Sequence, residues 1–161
     1  SAASDVYKRQ THFKPMIDMD MVSVNHEITA QLARSAVRAS TNLPVKYVVL
    51  DTKTGRTGRY LAAFRGRKTV MAVCYRLHAQ RILALSYGVV PILRTQELSD
   101  KYHFLVDALE FIDQYRKLQD DDLMAIVGGS FGPDGGASYL ELADVRGIRR
   151  RNEMIAAQNK R

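Results

Sequence analysis

The stretch "KYVVLDTKTGRTGRYLAAFR", residues 46–65, contains a strand, a loop and a helix in close succession. "KYVVLD" is a β-branched run bounded by turn residues, which predicts a buried strand. "GRYLAAFR" carries apolar residues at helical spacing, and a helix is expected to begin near Thr57. A strand that leads directly into a helix is the repeating unit of parallel α/β sheets, so this stretch indicates the fold class.

The same alternation continues along the chain. Four further apolar runs predict strands: "TVMAVCY", "VVPIL", "DDLMAIV" and "ASYLEL". Strands joined by helical crossovers are parallel, but the link between the last two strands is too short to hold a helix. The sequence therefore predicts a doubly wound, three-layer α/β sandwich. Its five-stranded, mostly parallel sheet has the order 3-2-1-4-5, with an antiparallel fifth strand.

Capping residues and apolar spacing set the bounds of the predicted helices. The first helix runs from an N-cap at Asn25 to the sequence "TNLP". "LHAQRILALSYG" predicts a helix closed by Gly88 at the C′ position. Ser99 is predicted to cap a long helix that reaches about Leu118. The residues expected to face the core are Ile28, Leu32 and Ala36 in the first helix, and Leu105, Leu109 and Ile112 in the last.

Length and composition exclude several protein classes. The 161 residues suit one domain and leave no room for an additional (β/α)₈ barrel. No stretch approaches the roughly 18 consecutive apolar residues of a membrane helix. The single cysteine, Cys74, lies in an apolar run, which predicts a buried thiol and a reducing, cytoplasmic setting. The net charge of +7 is compatible with nucleic acid, but much of the excess lies in the terminal segments.

Two polar loops follow the first and fourth predicted strands. These strands are neighbours in the predicted order, at the point where the winding reverses and where ligands bind in doubly wound sheets. The first loop contains Thr52, Lys53, Thr54, Gly55, Arg56 and Thr57. Its hydroxyls, its two cations, its tight glycine turn and the following helix N-terminus all suit a phosphate. A polar turn that only caps the helix is the alternative.

The second loop, "GGSFGPDGG", holds five of the ten glycines in the chain. Such a density exposes backbone N–H groups to a ligand, or it makes a flexible hairpin connection, and the spacing alone leaves both open. Neither loop is a Walker A loop, and Phe131 breaks the pattern of a nucleophile elbow. We assign no catalytic residue and no metal ligand from the sequence.

Three segments resemble the C-terminal α/β domain of pyruvate kinase in order and spacing. They are "VVLDTKTGRTGRYLAAFR", "VMAVCYRLHAQRILALSYGVVPI" and "LMAIVGGSFGPDGGASYLEL", and the resemblance extends from about residue 20 to residue 142. The loop "TKTGRT" and the phrase "ALSYGVVP" make it specific. It implies a domain at 25–146, preceded by a lead-in at 11–24. Residues 1–10 are interpreted as an artefactual segment similar to translated adapter sequence. Residues 147–161 are a basic, helical tail.

The resemblance implies a regulatory role. In pyruvate kinases a separate barrel transfers the phosphoryl group from phosphoenolpyruvate to ADP with magnesium and potassium, so this chain is expected to be inactive alone. In many members of the family the α/β domain binds sugar-phosphate or nucleotide-monophosphate effectors, and it also supplies a contact of the homotetramer. The family's effector-phosphate loop maps onto Thr52, Lys53, Thr54, Gly55, Arg56 and Thr57. Its second effector loop maps onto Gly129, Ser130, Gly132, Gly135, Gly136 and Ser138.

The second loop departs from the family pattern. It lacks the tryptophan and arginine of members that bind fructose 1,6-bisphosphate, and Asp134 would repel a second phosphate. A monophosphorylated effector is therefore as consistent with the sequence as a bisphosphate. A free-standing α/β protein or enzyme that binds a sugar phosphate is the rival interpretation. Nucleic-acid binding through the basic tail is disfavoured, because the tail lacks interleaved aromatic residues.

Overall fold

The computed structural model describes residues 27–94, 103–129 and 136–161. In chain order the elements are α1 (Ile28–Asn42), β1 (Val45–Thr52), α2 (Arg56–Ala63), β2 (Val70–Cys74), α3 (Leu77–Ala84), β3 (Val89–Leu93), α4 (His103–Tyr115), β4 (Leu123–Gly128), β5 (Tyr139–Asp144) and α5 (Val145–Asn159). Within these ranges no helix combines the length and the apolar character needed to cross a membrane.

The five strands form one sheet in the order β3-β2-β1-β4-β5. The first four strands run parallel, and β5 runs antiparallel to β4, with Leu123 beside Asp144 and Gly128 beside Tyr139. The predicted fold class, strand order and strand direction are confirmed.

Alternate residues of each strand face opposite layers of the sandwich. Val48 and Leu50 of β1 pack in the cluster that includes α1, α2 and α3, whereas Val49 packs in the cluster that includes α4 and α5. This alternation follows from the two-residue period of a strand. Since both faces of β1 are covered, the run "YVVL" is continuously apolar, as expected for a central parallel strand.

The predicted start and buried face of α1 are partly wrong. The helix begins at Ile28, after Glu27 rather than after Asn25, and Ile28 is 66% exposed. The residues that α1 buries are Thr29, Ala30, Ala33, Ala36 and Ser40. A strict four-residue spacing drifts around a helix of 3.6 residues per turn, whereas steps of three and four stay on one face. The small size of these side chains brings the helix axis close to the sheet.

Two predicted helix ends also lie too far along the chain. Helix α3 ends at Ala84 instead of near Gly88. Gly88 does have a positive φ of 69°, but it lies in the turn before β3, where its carbonyl accepts the Val70 N–H at 2.9 Å. Helix α4 ends at Tyr115, because the Asp113 carboxylate accepts the Leu118 N–H at 2.9 Å and holds a turn. The buried positions predicted for α4, Leu105, Leu109 and Ile112, are confirmed. The predicted cap at Ser99 lies outside the described residues.

Candidate anion-binding site

The two polar loops begin side by side at the carboxyl edge of the sheet. Strands β1 and β4 are parallel neighbours, and Leu50 of β1 lies beside Val127 of β4. Helix α2 leaves β1 on one face of the sheet, whereas α4 enters β4 from the other face. The edge between β1 and β4 is therefore the switch point of the fold, where a crevice opens in doubly wound sheets.

The first loop is a tight turn stabilised by Thr52. The Thr52 side chain is buried, and its hydroxyl oxygen accepts the Gly55 N–H at 2.9 Å. Gly55 has a φ of 88°, a left-handed conformation that favours glycine, and it directly precedes α2. Thr57 is also buried. Thr52 therefore stabilises the conformation of the loop, and its buried hydroxyl is not exposed to solvent.

The groups on the outer surface of the first loop suit an anion. Thr54 is exposed, Lys53 is half-buried, and the Arg56 side chain is 39% exposed. The N–H groups in the first turn of an α-helix have no acceptor within the helix and carry partial positive charge. Lys53 and Arg56 thus lie close to Gly55 in the chain, beside the start of α2, and this combination of groups suits phosphate oxygens.

Arg56 already has an anionic neighbour within the chain. Its guanidinium forms an ion pair with the carboxylate of Glu27, the residue just before α1. The Tyr60 hydroxyl, one turn along α2, donates a hydrogen bond to the same carboxylate. The sequence prediction included Arg56 but missed Glu27 and Tyr60, because their contact comes from packing α1 beside α2.

Close packing fixes where α2 begins. A side-chain carbon added at Gly58 would lie 2.4 Å from a methyl carbon of Leu83 in α3. Since Leu83 is fully buried, it cannot move aside freely. Gly58 therefore lets the first turn of α2 approach α3 closely, and this contact fixes the position of the loop.

The described part of the second loop is also tightly packed. Gly129 has a φ of 99°, and a Cβ at this position would overlap the Ser138 hydroxyl. The Ser138 N–H donates to the Gly128 carbonyl at 2.8 Å, which closes the base of the loop. Gly136 lies against Thr29 of α1. Of the residues predicted for this loop, Ser130, Gly132 and Gly135 lie outside the described residues, as does Asp134.

Thr29 joins the second loop to α1. Its buried hydroxyl accepts the Ala137 N–H at 3.0 Å. Glu27, two residues earlier, contacts Arg56, which ends the turn of the first loop and begins α2. The start of α1 thus contacts both loops, which the sequence pattern did not indicate.

The single cysteine of the chain is a buried, structural residue. Cys74 is fully buried, burial raises the pKa of its thiol to about 11, and its Sγ lies 3.7 Å from the Ile92 carbonyl oxygen. A thiol with this pKa stays protonated and unreactive at neutral pH. In the described ranges no group of three or more His, Cys, Asp or Glu residues could hold a metal ion.

The basic C-terminal helix uses several of its arginines within the domain. Arg149 forms ion pairs with Asp113 at 3.1 Å and Asp120 at 3.3 Å, and Arg151 pairs with Glu141 at 2.9 Å. Val145 and Ile148 of the same helix are buried. These contacts make α5 part of the packed domain.

Comparison with known proteins identifies similar chains. The family model described as "Pyruvate kinase, alpha/beta domain" matches residues 30–143. The pyruvate kinase of Lactobacillus delbrueckii subsp. bulgaricus is 28% identical over 116 residues, which cover 71% of this chain and 20% of that protein. The pyruvate kinase of Borreliella burgdorferi is 25% identical over 141 residues, covering 86% of this chain and 30% of that protein. The chain therefore spans less than a third of these relatives.

Proposed function

Because the chain belongs to the pyruvate kinase α/β domain family, we propose that it is the regulatory domain of a pyruvate kinase and binds a phosphorylated metabolite between its two polar loops. The phosphate would contact Lys53, Arg56 and the first turn of α2. The glycine-rich loop after β4 would contact the rest of the metabolite. The buried Thr52 would position the first loop without touching the ligand.

One observation carries this proposal: β1 and β4 are parallel neighbours, so the two loops that follow them begin side by side at the switch point. The first loop supplies cationic side chains, and the sequence of the second loop would supply glycines with exposed backbone N–H groups. A ligand with an anionic group and a polar body suits such a pair of walls, because charge orients one end and backbone groups contact the other.

The parent enzyme would catalyse phosphoryl transfer from phosphoenolpyruvate to ADP in a separate barrel domain. Magnesium and potassium would be bound in that barrel. The α/β domain would contribute a subunit contact of a homotetramer in the cytoplasm. Bound effector would favour one quaternary arrangement, with a coupling free energy of about 1 to 3 kcal/mol.

Calorimetric titration of the 161-residue chain tests the proposed binding. The ligands are fructose 1,6-bisphosphate, glucose 6-phosphate, ribose 5-phosphate and AMP, which separates bisphosphates from monophosphates. We expect at least one to bind, and we expect Lys53→Glu to abolish that binding by reversing a charge beside the phosphate. Lys46→Glu is the matched control, because Lys46 is an exposed residue near the opposite end of β1.

Three outcomes would contradict the proposal. The first is that no ligand binds at millimolar concentration. The second is equal weakening by both charge reversals, which would indicate general attraction of anions and no specific site. The third is turnover of a sugar phosphate by the isolated chain, which would favour the rival interpretation of a free-standing enzyme.

A further inference from the structure

The first turn of α1 connects the two loops through two side chains. Glu27 contacts Arg56 and Tyr60 of α2, and Thr29 accepts a hydrogen bond from Ala137 of the second loop. Glu27 and Thr29 are two residues apart, so a displacement of one is transmitted to the other through a single turn of backbone. The first turn of α1 is thus in mechanical contact with both walls of the proposed site.

The Glu27 carboxylate has the chemistry of the proposed ligand. It is an anion, it is bound by the guanidinium of Arg56, and it also accepts a hydrogen bond from the Tyr60 hydroxyl. A phosphate bound by Arg56 would use the same guanidinium donors, because carboxylate and phosphate can each accept two parallel hydrogen bonds from an arginine. The Glu27 and Arg56 side chains are 24% and 39% exposed, so an incoming anion can reach the pair.

We propose that Glu27 is an internal competitor of the phosphate ligand. In the free domain its carboxylate occupies Arg56, and ligand binding displaces it and releases the start of α1. This inference rests on the proposed function and adds its regulation. By linkage, any contact that draws Glu27 away from Arg56 would strengthen phosphate binding, and phosphate would favour that contact equally.

Tyr60 distinguishes competition from direct ligand binding. If its hydroxyl holds Glu27 on Arg56, then Tyr60→Phe loosens the competitor and phosphate binds more tightly. If the hydroxyl contacts the phosphate itself, the same change weakens binding. The two explanations thus predict opposite signs for one small substitution.

The test is a titration of the full chain with inorganic phosphate, followed through the backbone amide NMR signals of Thr54 and Thr57. Exposed ion pairs contribute modestly, so we expect Glu27→Gln to tighten phosphate binding by about two- to five-fold. Tyr60→Phe should have a smaller effect in the same direction. Glu110→Gln, an equal charge change at an exposed position of α4, controls for net charge and should leave the affinity unchanged.

Each remaining outcome overturns a defined part of the argument. If phosphate shifts the loop amides of the wild-type chain but Glu27→Gln binds no more tightly than Glu110→Gln, Glu27 is not a competitor, and the anion site itself stands. If Glu27→Gln tightens binding but Tyr60→Phe weakens it, the Tyr60 hydroxyl contacts the phosphate. The claim that Tyr60 holds Glu27 on Arg56 is then overturned. If phosphate shifts the amides of neither the wild-type chain nor Glu27→Gln, both the phosphate site and its competitor are overturned.

Discussion

The hydrogen bond from Ala137 to Thr29 should make a measurable contribution to stability. Thr29→Val replaces the hydroxyl with a methyl group of similar size, and the Ala137 N–H then lies buried without its acceptor. Both residues are at most 9% exposed. Leaving a buried N–H unsatisfied costs about 1 to 3 kcal/mol. The methyl group would also lie about 3 Å from the Ala137 nitrogen, which is closer than a normal van der Waals contact. We therefore expect a loss of about 2 kcal/mol.

Thr41→Val is the matched control for this prediction. Thr41 lies in the same helix, and its hydroxyl donates to the Val37 carbonyl at an exposed position. The change in helix propensity is the same at both positions, and exposed substitutions usually alter stability by less than about 0.5 kcal/mol. Thr29→Ser should recover much of the loss, since serine keeps the hydroxyl.

Urea unfolding of the three variants measures the effect. An unchanged dependence of the unfolding free energy on urea would show that the variants differ in stability and not in compactness. Faster hydrogen exchange at the Ala137 amide in Thr29→Val would locate the loss in the second loop. A Thr29→Val variant within about 0.5 kcal/mol of Thr41→Val would refute the argument, because the connection between α1 and the loop would then contribute nothing.

Three further predictions concern packing and pH. Gly58→Ala should destabilise the chain by about 1 kcal/mol, as crowding against Leu83 outweighs the gain in helix propensity; the same change should become stabilising in a Leu83→Ala background, as a urea double-mutant cycle would reveal. The pKa of Cys74 is raised from 9.0 to about 11, so the unfolded chain loses this thiol proton first. The free energy of unfolding should therefore fall by about 1.4 kcal/mol per pH unit as the pH rises from 9.0 to about 11. The reference is Cys74→Ala measured at the same pH values. Ile148→Ala should cost about 2 to 5 kcal/mol in urea unfolding because Ile148 is fully buried, whereas Met154→Ala, at a residue 66% exposed, should change stability little; equal effects would show that α5 is not packed on the domain.

The sheet could be predicted from the sequence because its signals are local. Each of the first four strands contains several β-branched residues. The brief link before β5 rules out a crossover helix, so the direction of β5 follows from chain length alone. The face of α4 was also predictable, since Leu105, Leu109 and Ile112 are large and regularly spaced. The face of α1 was not, because its buried residues are small and include Thr29 and Ser40, which do not stand out as apolar.

The candidate site was predictable in its location but not in its internal contacts. Strand order placed the two loops together, and residue types indicated an anion. The partner of Arg56 depends on how α1 packs beside α2, and no spacing within the loop identifies Glu27. Likewise, Thr52 reads as an available hydroxyl in the sequence, whereas the fold buries it and uses its oxygen to hold the Gly55 turn.

The reversed direction of β5 determines at which edge of the sheet α5 begins. The chain passes Gly128 at the loop edge, turns, and returns along six residues to Asp144, which lies beside Leu123 at the other end of β4. That return covers about 20 Å at the usual rise of a strand. Helix α5 begins at Val145, directly after β5, and therefore starts at the edge of the sheet opposite the loops. Its first residues donate backbone hydrogen bonds to Asp122 and Asp120 before β4, so a substitution in this first turn changes packing at that edge and contacts neither loop.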